Sequence, residues 1–197
     1  MMLAAALTVG AYLLGSMSTA IMVCRLSGAA DPRDVGSGNP GATNVLRHAG
    51  RGAAAVTLVG DVGKGALPVV LAAGLGIQPP WLTAIGLAAF LGHLFPIYYA
   101  FRGGKGVATF LGVNLALEPW LGLLFMGVWF GMALASRYSS LAALIAALVV
   151  PPAAFWLGAD PISVGLYALM TILIYWRHHA NIVNLVHGTE KRIGSKT

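Results

Sequence analysis

Three polar stretches of an otherwise apolar chain carry residue types suited to holding a phosphate and orienting a hydroxyl. In Phe101-Arg102-Gly103-Gly104-Lys105-Gly106-Val107-Ala108-Thr109, three glycines and two cations lie between two apolar runs. Gly103, Gly104 and Gly106 let the backbone approach a ligand and turn its N–H groups inward, and Lys105 adds a point charge suited to a phosphate oxygen. An earlier stretch runs Gly36-Ser37-Gly38-Asn39-Pro40-Gly41-Ala42-Thr43-Asn44 and is followed by Arg47. Ser37, Asn39, Thr43 and Asn44 offer hydroxyl and amide donors on a tight, irregular backbone. Thr43 or Asn44 could cap a short helix carrying Arg47, aiming a helix N-terminus and a guanidinium at one anion. A late stretch, Arg177-His178-His179-Ala180-Asn181-Ile182, leads to Gly188-Thr189-Glu190-Lys191. His178 and Asn181 are three apart and project together if the preceding helix continues through them. Histidine can serve near neutral pH as a general base or as the group that orients a hydroxyl. The plainer reading of all three is basic or turn-forming loops, the last drawn to anionic lipid.

Other chemistries are excluded by pattern. A Walker loop needs G-x-x-x-x-G-K-[ST], but position 99 is Tyr and Lys105 is followed by Gly106; Gly63-Lys64-Gly65 fails the same check. Six Asp and Glu residues spread over the chain, with no HExxH, give no reason to expect a metal, and no cofactor is expected. Asp61 and Lys64, three apart, can pair on one helix face, and His93 reads as a hydrogen-bonding support beneath the Lys105 loop.

The elements that must position these stretches are membrane helices. Hydrophobic residues make up 58% of the chain and charged residues 9%, with mean hydropathy +0.80; a soluble domain carries about 25% charged residues. At about 20 residues per span, 197 residues hold at most about seven or eight helices, so residues 1–197 are expected to form one membrane-embedded domain. The excess of Lys and Arg, 12 against 6 acids, is explained by cation-rich cytoplasmic loops, not by nucleic acid. Cys24 stands alone and reads as a small buried hydrophobe. Residues 1–20 have no cation before their apolar core and continue into hydrophobic sequence, so they read as a first helix and not as a cleaved signal.

Seven apolar runs are expected to span: residues 3–24, 53–75, 81–101, 107–117, 120–135, 141–157 and 162–176. Seven crossings put Arg25, Arg33, Arg47, Arg51, Arg102, Lys105, Arg137, Arg177, Lys191, Arg192 and Lys196 on one face, with Lys64 near it. The opposite connections, around Gln78, Glu118 and Asp160, contain no Lys or Arg. The fold expected is therefore an all-α integral membrane bundle with its N-terminus outside and C-terminus cytoplasmic. A five-span version, with 107–117 and 120–135 as a re-entrant pair, leaves both ends in place. No internal repeat suggests duplicated transporter halves.

Taken together, Gly36-Ser37-Gly38-Asn39 with Gly41-Ala42-Thr43-Asn44, then Gly103-Gly104-Lys105-Gly106-Val107-Ala108-Thr109, then Arg177-His178 with Asn181-Ile182 and Gly188-Thr189-Glu190, resemble the bacterial acyl-phosphate:glycerol-3-phosphate acyltransferase family (PlsY). Tyr138-Ser139-Ser140-Leu141 and Asp61 with Lys64-Gly65 are similar to that family too, whereas Asn184 stands where a basic residue is common. The resemblance implies transfer of an acyl group from acyl phosphate to the first hydroxyl of glycerol 3-phosphate, giving lysophosphatidic acid and phosphate. It implies a multi-pass protein of the bacterial cytoplasmic (inner) membrane, with its site facing the cytoplasm and membrane lipid around it. No obligate protein partner is evident. The catalytic set implied is Ser37, Lys105, His178 and Asn181. Ser37, Arg47 and Lys105 would bind phosphate, Asn44, Thr109 and Ser140 would complete the pocket, His178 with Asn181 would position the nucleophile, and Glu190 would anchor the tail. Gly38, Asn39, Thr43, Gly103, Gly104, Gly106 and Gly188 complete the expected substrate-binding set. The resemblance leaves open whether His178 or a substrate phosphate takes the proton. The H-x-x-x-x-D pattern of another glycerolipid acyltransferase class is absent, since Ala53, Tyr98, Val183, Asn184 and Arg192 stand five residues after the histidines. The competing reading is an organic-anion or phosphate transporter using the same basic pocket.

Overall fold

A computed structural model describes residues 1–194, and among these the regular structure is entirely helical. Lys196, one of the cations counted above, lies outside the described residues. In chain order the helices are α1 (Met2–Gly15), α2 (Thr19–Leu26), α3 (Ala42–Gly74), α4 (Trp81–Leu94), α5 (Val107–Leu117), α6 (Pro119–Ser136), α7 (Ser139–Trp156), α8 (Pro161–Arg177) and α9 (His179–Val186). Five stretches are long and apolar enough to cross a membrane: Met2–Leu26, Ala42–Gly74, Trp81–Tyr99, Pro119–Ser136 and Ser139–Trp156. Val107–Leu117 and Pro161–Arg177 are shorter apolar helices. Large apolar side chains such as Val59, Phe130, Phe155 and Ile172 point outward, as on a lipid-facing surface.

Three expected runs are reshaped. The first is broken after Gly15 because Ser18 takes extended backbone and caps α2, its hydroxyl accepting from the Ile21 N–H at 3.4 Å. Such a break leaves helix carbonyls unmet, and the buried Lys64 ammonium donates to that of Met17 at 2.8 Å. Lys64 also pairs with Asp61 at 2.9 Å, so the i,i+3 pair ties α3 to the break in the first span. The second run is preceded by helix from Ala42 in α3, but the backbone is non-helical at Gly50 (φ 83°) and kinks there, so the stretch after the kink starts close to residue 53. Pro68, which has no N–H, removes one further rung of the ladder. The stretch 51–74 after the kink rises about 36 Å, enough to cross the apolar layer. The third run ends at Leu94, not 101, because Pro96 keeps Phe95 out of helical backbone; a short 3-10 turn, Ile97–Tyr99, follows.

Small residues draw the helices together. A Cβ on Gly112 of α5 would run into the Val62 carbonyl of α3, and one on Gly65 of α3 into the Thr109 carbonyl of α5. Gly92 of α4 lies against the Tyr12 carbonyl of α1 in the same way. In lipid there is no hydrophobic force between apolar helices, so close backbone packing of this kind holds the bundle. Beneath the Lys105 loop, Phe110 meets Phe90 edge to face at 6.2 Å and Phe125 at 5.7 Å, joining α4, α5 and α6 into one core.

Candidate active site

The three polar stretches converge on one cavity of about 660 Å³. Its polar end takes Ser37, Asn39, Thr43, Asn44 and Arg47 from the first, Lys105 and Gly106 from the second, and His178, Asn181 and Glu190 from the last, with Ser140 at the start of α7. Its other end is apolar, walled by Leu58 of α3, Leu111 of α5, and Leu123, Met126, Trp129 and Phe130 of α6.

The first stretch is held by Asn44, which is buried. Its Oδ1 accepts from the Ser37 N–H at 3.2 Å, and its Nδ2 donates to the Pro32 and Val35 carbonyls at 2.8 and 3.1 Å. The expectation that Thr43 or Asn44 caps the helix is thereby corrected. Gly41 is the N-cap and no side chain caps α3, because Asn44 is spent folding the preceding loop. Thr43 instead reaches α7, its hydroxyl 3.5 Å from that of Ser139.

In the second stretch, Gly106 is the N-cap of α5 at φ 85° and supplies no side-chain cap, which leaves the first-turn N–H groups open to an anion beside Lys105. The Lys105 ammonium donates to Asn181 Oδ1. Asn181 Nδ2 in turn donates to Glu190 Oε1 at 2.7 Å, and the Ser140 hydroxyl donates to the same oxygen at 2.6 Å. Lysine only donates and a carboxylate only accepts, so this chain fixes the Asn181 amide orientation. Glu190 thus ties the tail to α7 and α9, and backbone N–H donation from Ile193 to the Arg137 carbonyl at 2.7 Å reinforces it. Burial holds Lys105 below the usual lysine range, Glu190 opposes that, and Arg177 and Arg47 add to it. A poorly solvated ammonium among other cations gains strongly from a bound phosphate.

His178 is the joint between α8 and α9, so the helix does not run unbroken from His178 to Asn181, yet both side chains reach the cavity. His178 Nδ1 lies 2.8 Å from the Ile174 carbonyl, which can only accept, so Nδ1 carries the proton and Nε2 keeps its lone pair. Burial, followed by the Lys105 charge, pushes the ring down to about 4, so it is neutral at physiological pH.

The expected site residues separate into those on the cavity wall and those behind it. Gly38, Gly103, Gly104, Thr109 and Gly188 are not on the wall. Gly104 covers the His93 ring so closely that a Cβ there would overlap it, and its N–H donates to the His93 carbonyl at 3.0 Å. Thr109 is fully buried, and its hydroxyl has no hydrogen-bond partner among the described residues. Among the wall residues that sequence reasoning left out of the site are Ser139, Asp61, His93, Lys191, Leu58 of α3, Leu111 of α5 and the apolar face of α6. Asp61 and His93 were readable as buried polar residues inside spans. α6 is apolar on all sides, so no periodicity marks the face that lines a cavity.

The glycerol-3-phosphate acyltransferase family profile matches residues 5–188. The glycerol-3-phosphate acyltransferase of Thioalkalivibrio sulfidiphilus is 56% identical over 197 residues, covering 100% of this chain and 97% of its own. The chain belongs to the glycerol-3-phosphate acyltransferase family. That of Halorhodospira halophila is 53% identical over 194 residues, covering 98% of each chain. The crystal structure of PlsY, an integral membrane glycerol 3-phosphate acyltransferase, in its glycerol 3-phosphate form, superposes with a TM-score of 0.92 at 40% identity. That match covers 97% of this chain and 96% of the other. The lysophosphatidic acid form superposes with a TM-score of 0.88 at 37% identity, covering 97% and 95%. With five stretches long and apolar enough to cross a membrane and an integral membrane protein as its structural neighbour, the chain is a multi-pass membrane protein.

Proposed function

We propose that this protein transfers a fatty acyl group from acyl phosphate to the first hydroxyl of glycerol 3-phosphate, releasing lysophosphatidic acid and inorganic phosphate for phospholipid synthesis. The observation that carries this reading is the two-ended cavity: cations and open helix N–H groups at one end, an apolar wall at the other. A phosphate and an alkyl chain fit those two ends together. The glycerol 3-phosphate and lysophosphatidic acid forms of the PlsY neighbour support the same substrate and product.

In the reaction, the glycerol hydroxyl oxygen bonds to the acyl carbon, the bond from that carbon to the phosphate oxygen breaks, and phosphate leaves with the electron pair. Acyl phosphate is already activated, so alignment and charge compensation are the main requirements. Lys105, Arg47 and the first turn of α5 hold phosphate oxygens, with Ser37 beside them. His178 Nε2 accepts the hydroxyl's hydrogen bond and aligns it. A ring that titrates at about 4 is a weak proton acceptor, whereas a phosphate monoester titrates near about 6. The proton therefore passes to a phosphate oxygen. Asn181, Glu190 and Ser140 hold Lys105 and the tail in place, and Thr43 and Asn44 shape the Ser37 wall.

The basic face carrying Arg47, Lys105, Arg177 and Lys191 is taken as cytoplasmic, with the N-terminus outside and the C-terminus inside the bacterial inner membrane. Both seven crossings and five with a re-entrant pair give that arrangement. Residues 1–197 act as one catalytic unit, and no partner chain is needed to complete the cavity.

The test is to incubate the purified protein in detergent with acyl phosphate and radiolabelled glycerol 3-phosphate. Lysophosphatidic acid and phosphate are expected in equal amounts. No product, with uptake of the label by reconstituted vesicles instead, would establish an anion transporter.

A further inference from the structure

Arg177 is not on the cavity wall, yet both arms of its guanidinium end on the loop that carries Lys105. Nη2 donates to the Gly103 carbonyl at 2.6 Å and Nε to the Gly104 carbonyl at 3.1 Å. On the opposite side, the Gly104 N–H donates to the His93 carbonyl at 3.0 Å. A trans peptide holds its C=O and N–H on opposite edges. The Gly103–Gly104 peptide is thus fixed at both edges, by α8 and by α4. The next peptide has its carbonyl on Arg177, so the Lys105 N–H is aimed away from α8.

The two glycines have no side chains with which to define this path. Cβ atoms at Gly103 and Gly104 would overlap the His93 backbone and ring, so the loop also has no space to acquire them. Its shape is therefore set from outside. The guanidinium is itself braced: its carbon stands 5.7 Å from the Trp176 ring centre, and that ring lies 6.0 Å from the Phe95 ring that follows α4. Arg177 and His178 are consecutive, so one turn of chain carries the group that shapes the phosphate loop and the group that faces the hydroxyl.

We propose that Arg177 is a positioning residue that sets the Lys105 loop for phosphate, coupling that loop to the His178 joint through the last turn of α8. The proposal rests on reading the Lys105 loop as the phosphate site for glycerol 3-phosphate. A lysine cannot replace the arginine fully, because one ammonium on a flexible stem does not reproduce two donors in a fixed fork.

The experiment compares wild type with Arg177→Ala and Arg177→Lys, each full-length and in detergent, by steady-state kinetics and by calorimetric binding of glycerol 3-phosphate. For Arg177→Ala, KM and Kd for glycerol 3-phosphate should rise on the order of tenfold or more, with a smaller change in KM for acyl phosphate. Arg177→Lys should recover part of the loss, and millimolar guanidinium ion should restore activity to Arg177→Ala. Equal KM and Kd in variant and wild type, with only the active fraction reduced, would leave Arg177 as a structural residue and overturn the proposal. Full recovery by lysine, without a guanidinium effect, would overturn the fork. If Arg177→Ala does not fold, Arg177→Lys alone decides, since normal Kd there has the same meaning. Wild-type protein that binds no glycerol 3-phosphate would instead overturn the phosphate reading itself, and this proposal with it.

Discussion

The two ends of the bundle turn the chain in different ways. At the end remote from the cavity the turns themselves are made by neighbours in sequence: Asp160 caps α8 by accepting from the Ser163 N–H at 3.0 Å, and Pro119 and Pro161 open α6 and α8. One buried bond there joins distant residues, the Thr83 and Ser163 hydroxyls at 2.9 Å. At the cavity end the decisive bonds join residues far apart in sequence. Ser140 and Glu190 are separated by 50 positions, Arg177 and Gly103 by 74, and Lys105 and Asn181 by 76. A turn needs only a cap and a fixed φ, whereas a cavity lined by cations and donors needs them brought from several helices. The first kind is robust to distant change; the second fails when any contributing segment moves.

Substitutions at the two ends should separate these kinds of construction. The largest effect is expected for Lys105→Met, which removes the ammonium from the phosphate end and should lower kcat/KM by about a thousandfold, while the protein still elutes as a folded species on gel filtration. Activity within tenfold of wild type would show that the loop backbone, not the lysine, compensates phosphate charge.

His178→Ala should come next, with kcat lowered by about a hundredfold throughout pH 5 to 8. The sign follows from the ring's titration at about 4: it is neutral from pH 5 to 8, and protonation switches off its acceptor only below that window. A limb near pH 6, set by phosphate, should therefore persist in both proteins. Its disappearance from the variant's pH–rate profile would make His178 the proton acceptor.

Glu190→Ala should lower kcat/KM by about thirtyfold, and Ser140→Ala by less, because each loses hydrogen bonds to a charged group. The double variant should resemble Glu190→Ala alone, since both residues share one bond. Additive losses, measured in the same assay, would mean that Ser140 touches substrate independently.

The smallest catalytic effect belongs to the other end. Asp160→Ala should cost about 1 kcal/mol of stability through the lost cap, visible as a small drop in Tm, with kcat and KM within twofold of wild type. A catalytic defect there would show that the two ends are coupled through α8.

Much of this arrangement was legible in the residues. Each of the seven apolar runs is largely helical, the first as two helices and the third only to Leu94. The Glu118-Pro119 and Gly158-Ala159-Asp160-Pro161 breaks fall where the chain stops being able to donate or to stay helical, and Asp61 pairs with Lys64 at 2.9 Å. What escaped has physical reasons. Gly15 and the N-cap Ser18 mark the stop of the first helix only weakly inside a long apolar run, and what the sequence does not show is that Lys64, from another helix, takes the Met17 carbonyl left at the break. Asn44 offered an amide donor to a ligand and an oxygen acceptor to a helix N-terminus, and the use of both on the loop, at the Ser37 N–H and the Pro32 and Val35 carbonyls, depends on how that loop folds back.

By itself, then, the sequence determined a membrane-embedded helical chain, its family, and the three polar stretches, because hydropathy, glycine spacing and charge are properties of residues in order. The tertiary structure alone decided that Arg177 grips the Gly103 and Gly104 carbonyls, that Glu190 locks Asn181 and Ser140, that Thr109 lies behind the wall, and that one face of α6 completes the cavity. Those outcomes depend on which helix surfaces meet, and in lipid that is settled by backbone closeness at Gly65, Gly92 and Gly112 and not by any periodic apolar stripe.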